Sequence, residues 1–115
     1  MEFTTALKLN PVFRKLYAKG ESAVGPFVVV YCKRNGTQGN RLGITTGVKL
    51  GHAVDRNRAR RRIREVYRIH EDRFKRGFDV VIVARQRAID GDFSEFERSF
   101  LRQCGRLRLL KEQTE

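Results

Sequence analysis

Seven arginines fall between Arg56 and Arg68, interleaved with apolar side chains at a spacing that a helix sorts into two faces. At about 100° per residue, Ala59, Ile63, Val66 and Tyr67 come to one side. Arg56, Arg60, Arg64 and Arg68, with Asn57 and Arg61, climb the adjoining flank. One side can be buried while the other presents a rod of planar, permanently charged guanidinium groups that fork onto phosphate oxygens. Such a rod suits a polyanion better than a small metabolite, and nucleic acid is the first partner to consider. With 25 basic against 13 acidic residues the chain carries a formal charge of +12. Binding to a polyanion should therefore weaken steeply as salt rises. A basic surface kept only for solubility would spread its charge evenly and not gather it on a patterned helix.

The 115 residues, 40% hydrophobic, suit one RNA-binding domain spanning 1–115, with about six N-terminal and five C-terminal residues frayed. Two distant cysteines, Cys32 and Cys104, make neither a disulfide framework nor a zinc site, which suits a reducing cytoplasm. No run approaches the roughly 20 apolar residues of a membrane span, so neither membrane insertion nor export is expected.

Asn10–Lys19 reads as a short helix, with Asn10 as cap, Pro11 in the first turn and Val12, Phe13, Leu16 and Tyr17 at helical spacing. Val24–Lys33 reads as a strand carrying Phe27, Val29 and Tyr31 on one side and Val28, Val30 and Cys32 on the other. The Asn-Gly pair within Arg34–Arg41 predicts a hairpin returning through Leu42–Thr46. The basic helix should run from about Ala53 to Lys75 and stop at Gly77, followed by a buried strand from Asp79 to Ala84. After a turn at Ala88–Asp92, a last helix begins near Asp92 with Phe93, Phe96, Phe100, Cys104 and Leu107 on one face. Helices packed on one sheet follow from this order.

The run Leu42–Arg68, LGITTGVKLGHAVDRNRARRRIREVYR, resembles the signature region of the bacterial ribonuclease P protein component. Gly51, Ala53, Val54, Arg56, Asn57, Arg60, Arg61 and Arg64 match its arginine-rich motif, and the likeness extends over roughly residues 7 to 110. The resemblance implies an α/β (α+β) sandwich of the ribosomal-protein-domain type, with helices on one mixed sheet and a left-handed βαβ crossover. It also implies a subunit that assists a catalytic RNA in removing the 5′ leader of precursor tRNA, one protein per catalytic RNA, and supplies no catalytic side chain itself. Magnesium would belong to the RNA-containing holoenzyme, with no metal bound by the protein.

Two surfaces carry over by position. Lys49, Arg56, Asn57, Arg60, Arg61, Arg64 and Arg68 match the side facing the catalytic RNA. Phe13, Tyr17 and Tyr31 match aromatic positions of a leader-binding cleft, which Phe27 and Val29 would extend. Aromatic faces accept any base, each stacked base contributing roughly 1–3 kcal/mol. The chain departs from the family pattern at Val48, where a lysine is common, at His52 in place of asparagine, and at Arg60 in place of lysine. Arg58 and Arg62 lie opposite the arginine row and are expected to be solvated or loosely near phosphate, outside the site. His52 and His70 could serve a protein-only nuclease only if both met at one phosphate. A general or ribosome-associated RNA-binding protein is the alternative reading, and it would have no use for the aromatic cleft.

Overall fold

Phe78–Ala84 carries apolar side chains on both faces and buries both, which makes it the natural centre of a sheet. The computed structural model describes residues 1–112. Its elements run β1 (Thr4–Ala6), α1 (Asn10–Lys19), β2 (Glu21–Val24), β3 (Val28–Arg34), β4 (Asn40–Thr45), α2 (Ala53–His70), β5 (Phe78–Ala84), α3 (Arg87–Asp90) and α4 (Phe93–Arg106). The five strands form one mixed sheet in the order β1-β4-β5-β3-β2. β5 is antiparallel to β3 and parallel to β4, so α2 is the crossover of a parallel β4-α2-β5 unit.

The period of two along β5 divides the interior. Val80 and Ile82 face α2 and α4, joining Val30, Cys32, Leu42, Ile63, Tyr67, Phe96 and Phe100 in the larger core. Val81 and Val83 face the other way, where Leu16, Val12 and Phe13 of α1 cover part of the sheet. The basic helix thus packs on one face and the first helix on the other. No described helix is long and apolar enough to cross a membrane.

Several expectations are corrected. The hairpin between residues 34 and 41 does not form, because β5 lies between β3 and β4. Asn35 instead closes a local turn, its Oδ1 accepting from the Thr37 N–H and its Nδ2 donating to the Gly39 carbonyl. Asn40 Oδ1 then accepts from the N–H groups of Gly77 and Phe78 at 2.8 and 2.9 Å, gripping the start of β5. The strand expected from Val24 to Lys33 divides into β2 and β3 around Gly25-Pro26. The basic helix stops at His70 and not near Lys75. A 3-10 turn, Glu71–Arg73, follows and delivers Phe74 into the core against Tyr67, ring centroids 4.7 Å apart. At α1 the cap position is Leu9, and Asn10 is already helical. The expected turn at Ala88–Asp92 is taken up largely by the short α3, which begins at Arg87.

The first six residues, expected to fray, include β1, which pairs in parallel with β4. Glu71 fixes them from beneath: its carboxylate accepts from the backbone N–H of Glu2 at 2.7 Å and of Phe3 at 3.3 Å. At the other end Lys111 N–H donates to the Arg73 carbonyl, while residues 113–115 of the expected frayed tail lie outside the described residues.

Candidate nucleic-acid interface

The start of α2 is built by the motif itself. Gly51 holds φ 143°, ψ −160°, and a Cβ there would sit 2.7 Å from Asp55 Oδ2, so only glycine fits. Asp55 accepts from the His52 N–H at 3.2 Å within a capping box, and Arg56 reaches back to donate to the Gly51 carbonyl at 3.1 Å. His52 therefore acts here as a helix-capping residue. The exposed 3-10 turn Val48–Leu50 carries Lys49 just ahead of this end, and Val48 stands 80% exposed.

Along α2 the arginines differ in freedom. Arg60 is fixed twice, donating to Asn57 Oδ1 at 3.1 Å and to Thr46 Oγ1 at 2.6 Å. Asn57 thereby aims a guanidinium, a role its place beside the row does not reveal. Arg61 and Arg64 are exposed, and Arg64 shares with Arg60 the rim of a hollow of about 500 Å³ beside β1. Arg68 is exposed but paired with Glu65 at 2.6 Å, and that hydrogen bond holds the Glu65 carboxyl below its ordinary value. Arg58 is exposed as expected. Arg62 is not solvated: it donates to the Gly91 carbonyl and lies over the Phe93 ring, 5.5 Å from its centroid, clamping α2 to the start of α4.

The aromatic residues sort into two groups. Tyr17 and Tyr31 meet edge to face with centroids 4.9 Å apart, Tyr17 being 42% exposed and 3.2 Å from Thr45 Oγ1. Phe13 seats α1 on β4 over Gly43, where a Cβ would come within 2.5 Å of the Phe13 ring. A groove of about 460 Å³ runs along this flank of α1, lined by Phe13, Arg14, Tyr17, Thr45, Thr46 and Arg60. Val29 is partly exposed on the Tyr31 face, between Val24, itself 61% exposed, and Val83.

Phe27 is corrected. It lies outside β3, is buried in the larger core, and stacks on Phe96 at 5.2 Å on the opposite side of the sheet. The alternation that sets it beside Tyr31 holds only within the strand, which begins at Val28, one residue after Phe27. Conversely, Arg14, Thr45 and Thr46 line the groove and Gly43 seats its Phe13, and no sequence pattern marks them, since their relevance arises from α1 lying over β4.

His52 and His70 sit at opposite ends of α2, about 27 Å apart at 1.5 Å per residue over its 18 residues. His70 is occupied by Glu97 at 2.9 Å. They cannot attack one phosphate together. Among the described residues no group of three or more His, Cys, Asp or Glu side chains could hold a metal ion. What remains is chemistry of position: a fixed cationic row on α2 and an aromatic groove, with Arg60 and Thr46 belonging to both.

Comparison with known proteins agrees with this geometry. The Ribonuclease P family model matches residues 1–108. The chain is 33% identical over 110 residues to the ribonuclease P protein component of Alkaliphilus oremlandii, covering 96% of each chain. It is 38% identical over 107 residues to that of Desulforamulus reducens, covering 93% of this chain and 95% of the relative. Among solved structures, the RNase P protein of Staphylococcus aureus superposes with TM-score 0.81 at 32% identity, covering 92% of this chain and 97% of that one. The Thermotoga maritima RNase P protein gives 0.78 at 30%, covering 88% and 96%.

Proposed function

Since the chain belongs to the ribonuclease P protein component family, the protein subunit of a tRNA-processing endoribonuclease, we propose that it works through two joined RNA surfaces. The arginine row of α2 lies against the phosphates of the catalytic RNA. The groove along α1 takes the single-stranded 5′ leader of precursor tRNA. The observation that carries this reading is Arg60, which Asn57 and Thr46 hold at the seam where the cationic row meets the aromatic groove. A strand leaving the reaction centre on the RNA can pass directly into the groove.

Each surface has a separate task. Arg61 and Arg64, with Lys49 and the positive end of α2, reduce repulsion between RNA phosphates where the leader departs. This lowers the magnesium that the RNA requires, the metal being held by RNA oxygens, the hard ligands it prefers. Tyr17 and Tyr31 offer ring surface to leader bases whatever their sequence, while Arg14 and Arg60 face the backbone. The mature product has no leader, so the groove favours precursor over product. No protein side chain forms or breaks a bond. We place the protein in the cytoplasm, one copy per catalytic RNA.

The test is leader cleavage at low magnesium by catalytic RNA alone, protein alone and the mixture, repeated with Tyr17→Ala and Tyr31→Ala. Each variant should lose about 1–3 kcal/mol of precursor binding with catalytic-RNA affinity unchanged. Equal affinity of the assembled wild-type enzyme for precursor and mature tRNA would sink the groove assignment.

A further inference from the structure

The other flank of α1 carries a basic channel with no part in the groove just described. Positions 10, 13, 14 and 17 of the helix line the aromatic groove; positions 12, 15, 16 and 19 turn toward the end of β3. There a hollow of about 480 Å³ is lined by Lys19, Lys33, Arg34, Lys75 and Arg108, with Glu21 as its single carboxylate. It continues into a smaller hollow of about 200 Å³ that shares Lys33 and Arg34 and adds Lys15. Among the described residues none of these six cations has an ion-pair partner. Asp79, which also borders the smaller hollow, is taken by Arg41 through two bonds of 2.7 Å. The guanidinium of Arg34 lies over the Phe78 ring, 5.2 Å from its centroid, so it is held and not free to swing away.

A second observation marks the same place. Arg108 has φ 59°, the one non-glycine residue of positive φ among those described. It follows the end of α4, where its N–H donates to the Gly105 carbonyl and the Leu109 N–H to that of Cys104. Glycine is the usual occupant of such a left-handed helix terminus because it has no Cβ to clash. An arginine there holds a strained backbone conformation while placing its charge at the rim of the channel, and strain of this kind points toward function.

We propose that this channel binds the phosphate backbone of RNA, as a second site separated by α1 from the aromatic groove. The ring that lines it, Phe78, is buried beneath Arg34, so the channel offers charge without a face for bases. It holds backbone and does not read sequence. The source of the phosphates is either the catalytic RNA or the leader beyond the groove. The inference rests on the ribonuclease P reading of the whole chain.

The experiment compares wild type with Arg108→Gly and with the triple variant Lys33→Gln/Lys75→Gln/Arg108→Gly in salt titrations of two kinds. One measures protein binding to catalytic RNA. The other measures binding of the assembled enzyme to precursor tRNA with a short and with a long leader. Arg108→Gly should melt at or above the wild-type temperature yet bind RNA several-fold more weakly. The triple variant should lower the slope of log affinity against log salt by about 2–3, roughly 0.7–0.9 for each lost contact. A loss in the first titration identifies the catalytic RNA as the source, and a loss confined to the long leader identifies the leader. Unchanged affinity and slope in both, with cooperative melting retained, would overturn the channel. Failure of wild type to bind either RNA would overturn the underlying reading instead.

Discussion

Replacing Gly43 by alanine isolates what holds the leader groove open. The added Cβ would lie 2.5 Å from Phe13 Cζ and 2.8 Å from Cε1. Carbon atoms settle about 3.5 Å apart, so the ring, and with it α1, must retreat by roughly 1 Å. Overpacking of this kind costs about 1–3 kcal/mol, which for a domain of this size lowers the melting temperature by about 5–15 °C. Because Phe13 and Tyr17 share α1, the same displacement shifts Tyr17 against Tyr31 and Thr45. Thermal melts, with precursor and mature tRNA affinities of the assembled enzyme, should show Gly43→Ala less stable and less able to favour precursor, with catalytic-RNA binding intact. Adding Phe13→Leu, which removes the clashing ring atoms, should restore stability non-additively. If Gly43→Ala melts within a degree of wild type and discriminates normally, α1 is not seated through this contact and the reasoning fails.

Three further outcomes follow from buried polar groups. Asn40→Ala leaves the Gly77 and Phe78 N–H groups and the Lys75 carbonyl without their side-chain partner; it should cost about 3 kcal/mol or more, and a loss of unfolding free energy below about 1 kcal/mol in urea titrations would contradict the role given to it. Burial raises the Glu71 carboxyl, but hydrogen bonds from Thr4 and the Glu2 and Phe3 backbone, with the N-terminal charge, bring it below its ordinary value. Its stabilisation is therefore present above about pH 4.3, the unfolded value, and is lost as pH falls through the lower folded one. Glu71→Gln should cost about 1–2 kcal/mol at pH 7 and much less at strongly acid pH; a difference in melting temperature independent of pH would show that its charge is not what anchors β1. Burial, then Glu21, pushes the Cys32 thiol up to about 11, and burial raises Cys104 further, so at pH 8 both should react with an aromatic disulfide only as fast as the protein opens. Rapid modification of the native protein would disprove their enclosure.

What the sequence shows and hides follows the range of the forces involved. The apolar face of α2 is written in Ala59, Ile63, Val66 and Tyr67, all buried as periodicity requires, and α4 begins beside its Asp92 cap. β1 and β2 are three and four residues long, too short for alternation to register, and β1 exists because β4 and Glu71 hold it. The Asn-Gly signal at Asn35 was a true turn, but a local signal cannot tell that a strand forty residues later will enter between its arms. Among site residues, the exposure of Arg61 and Arg64 could be read from the helix alone. Arg62 could not, since Gly91 and Phe93 claim it from a distant segment. Phe27 escapes the pattern because alternation stops at Val28, the first residue of β3, and a lone residue before the strand follows the turn and not the pleat.

The position of β5 sets a condition on how the chain can be made. It is the last strand to be synthesised, yet it lies at the middle of the sheet and bonds to β3 and β4 at once. A nascent chain that has not yet emerged past Ala84 holds at most two separate ladders, β2 with β3 and β1 with β4, that share no backbone bond. The arginines of α2 leave the ribosome before the strand that closes the fold, so the most cationic part of the molecule travels without a completed sheet behind it. Folding that depends on such distant pairings waits for the late segment. A stalled or truncated product ending before Phe78 would be an unfolded polycation.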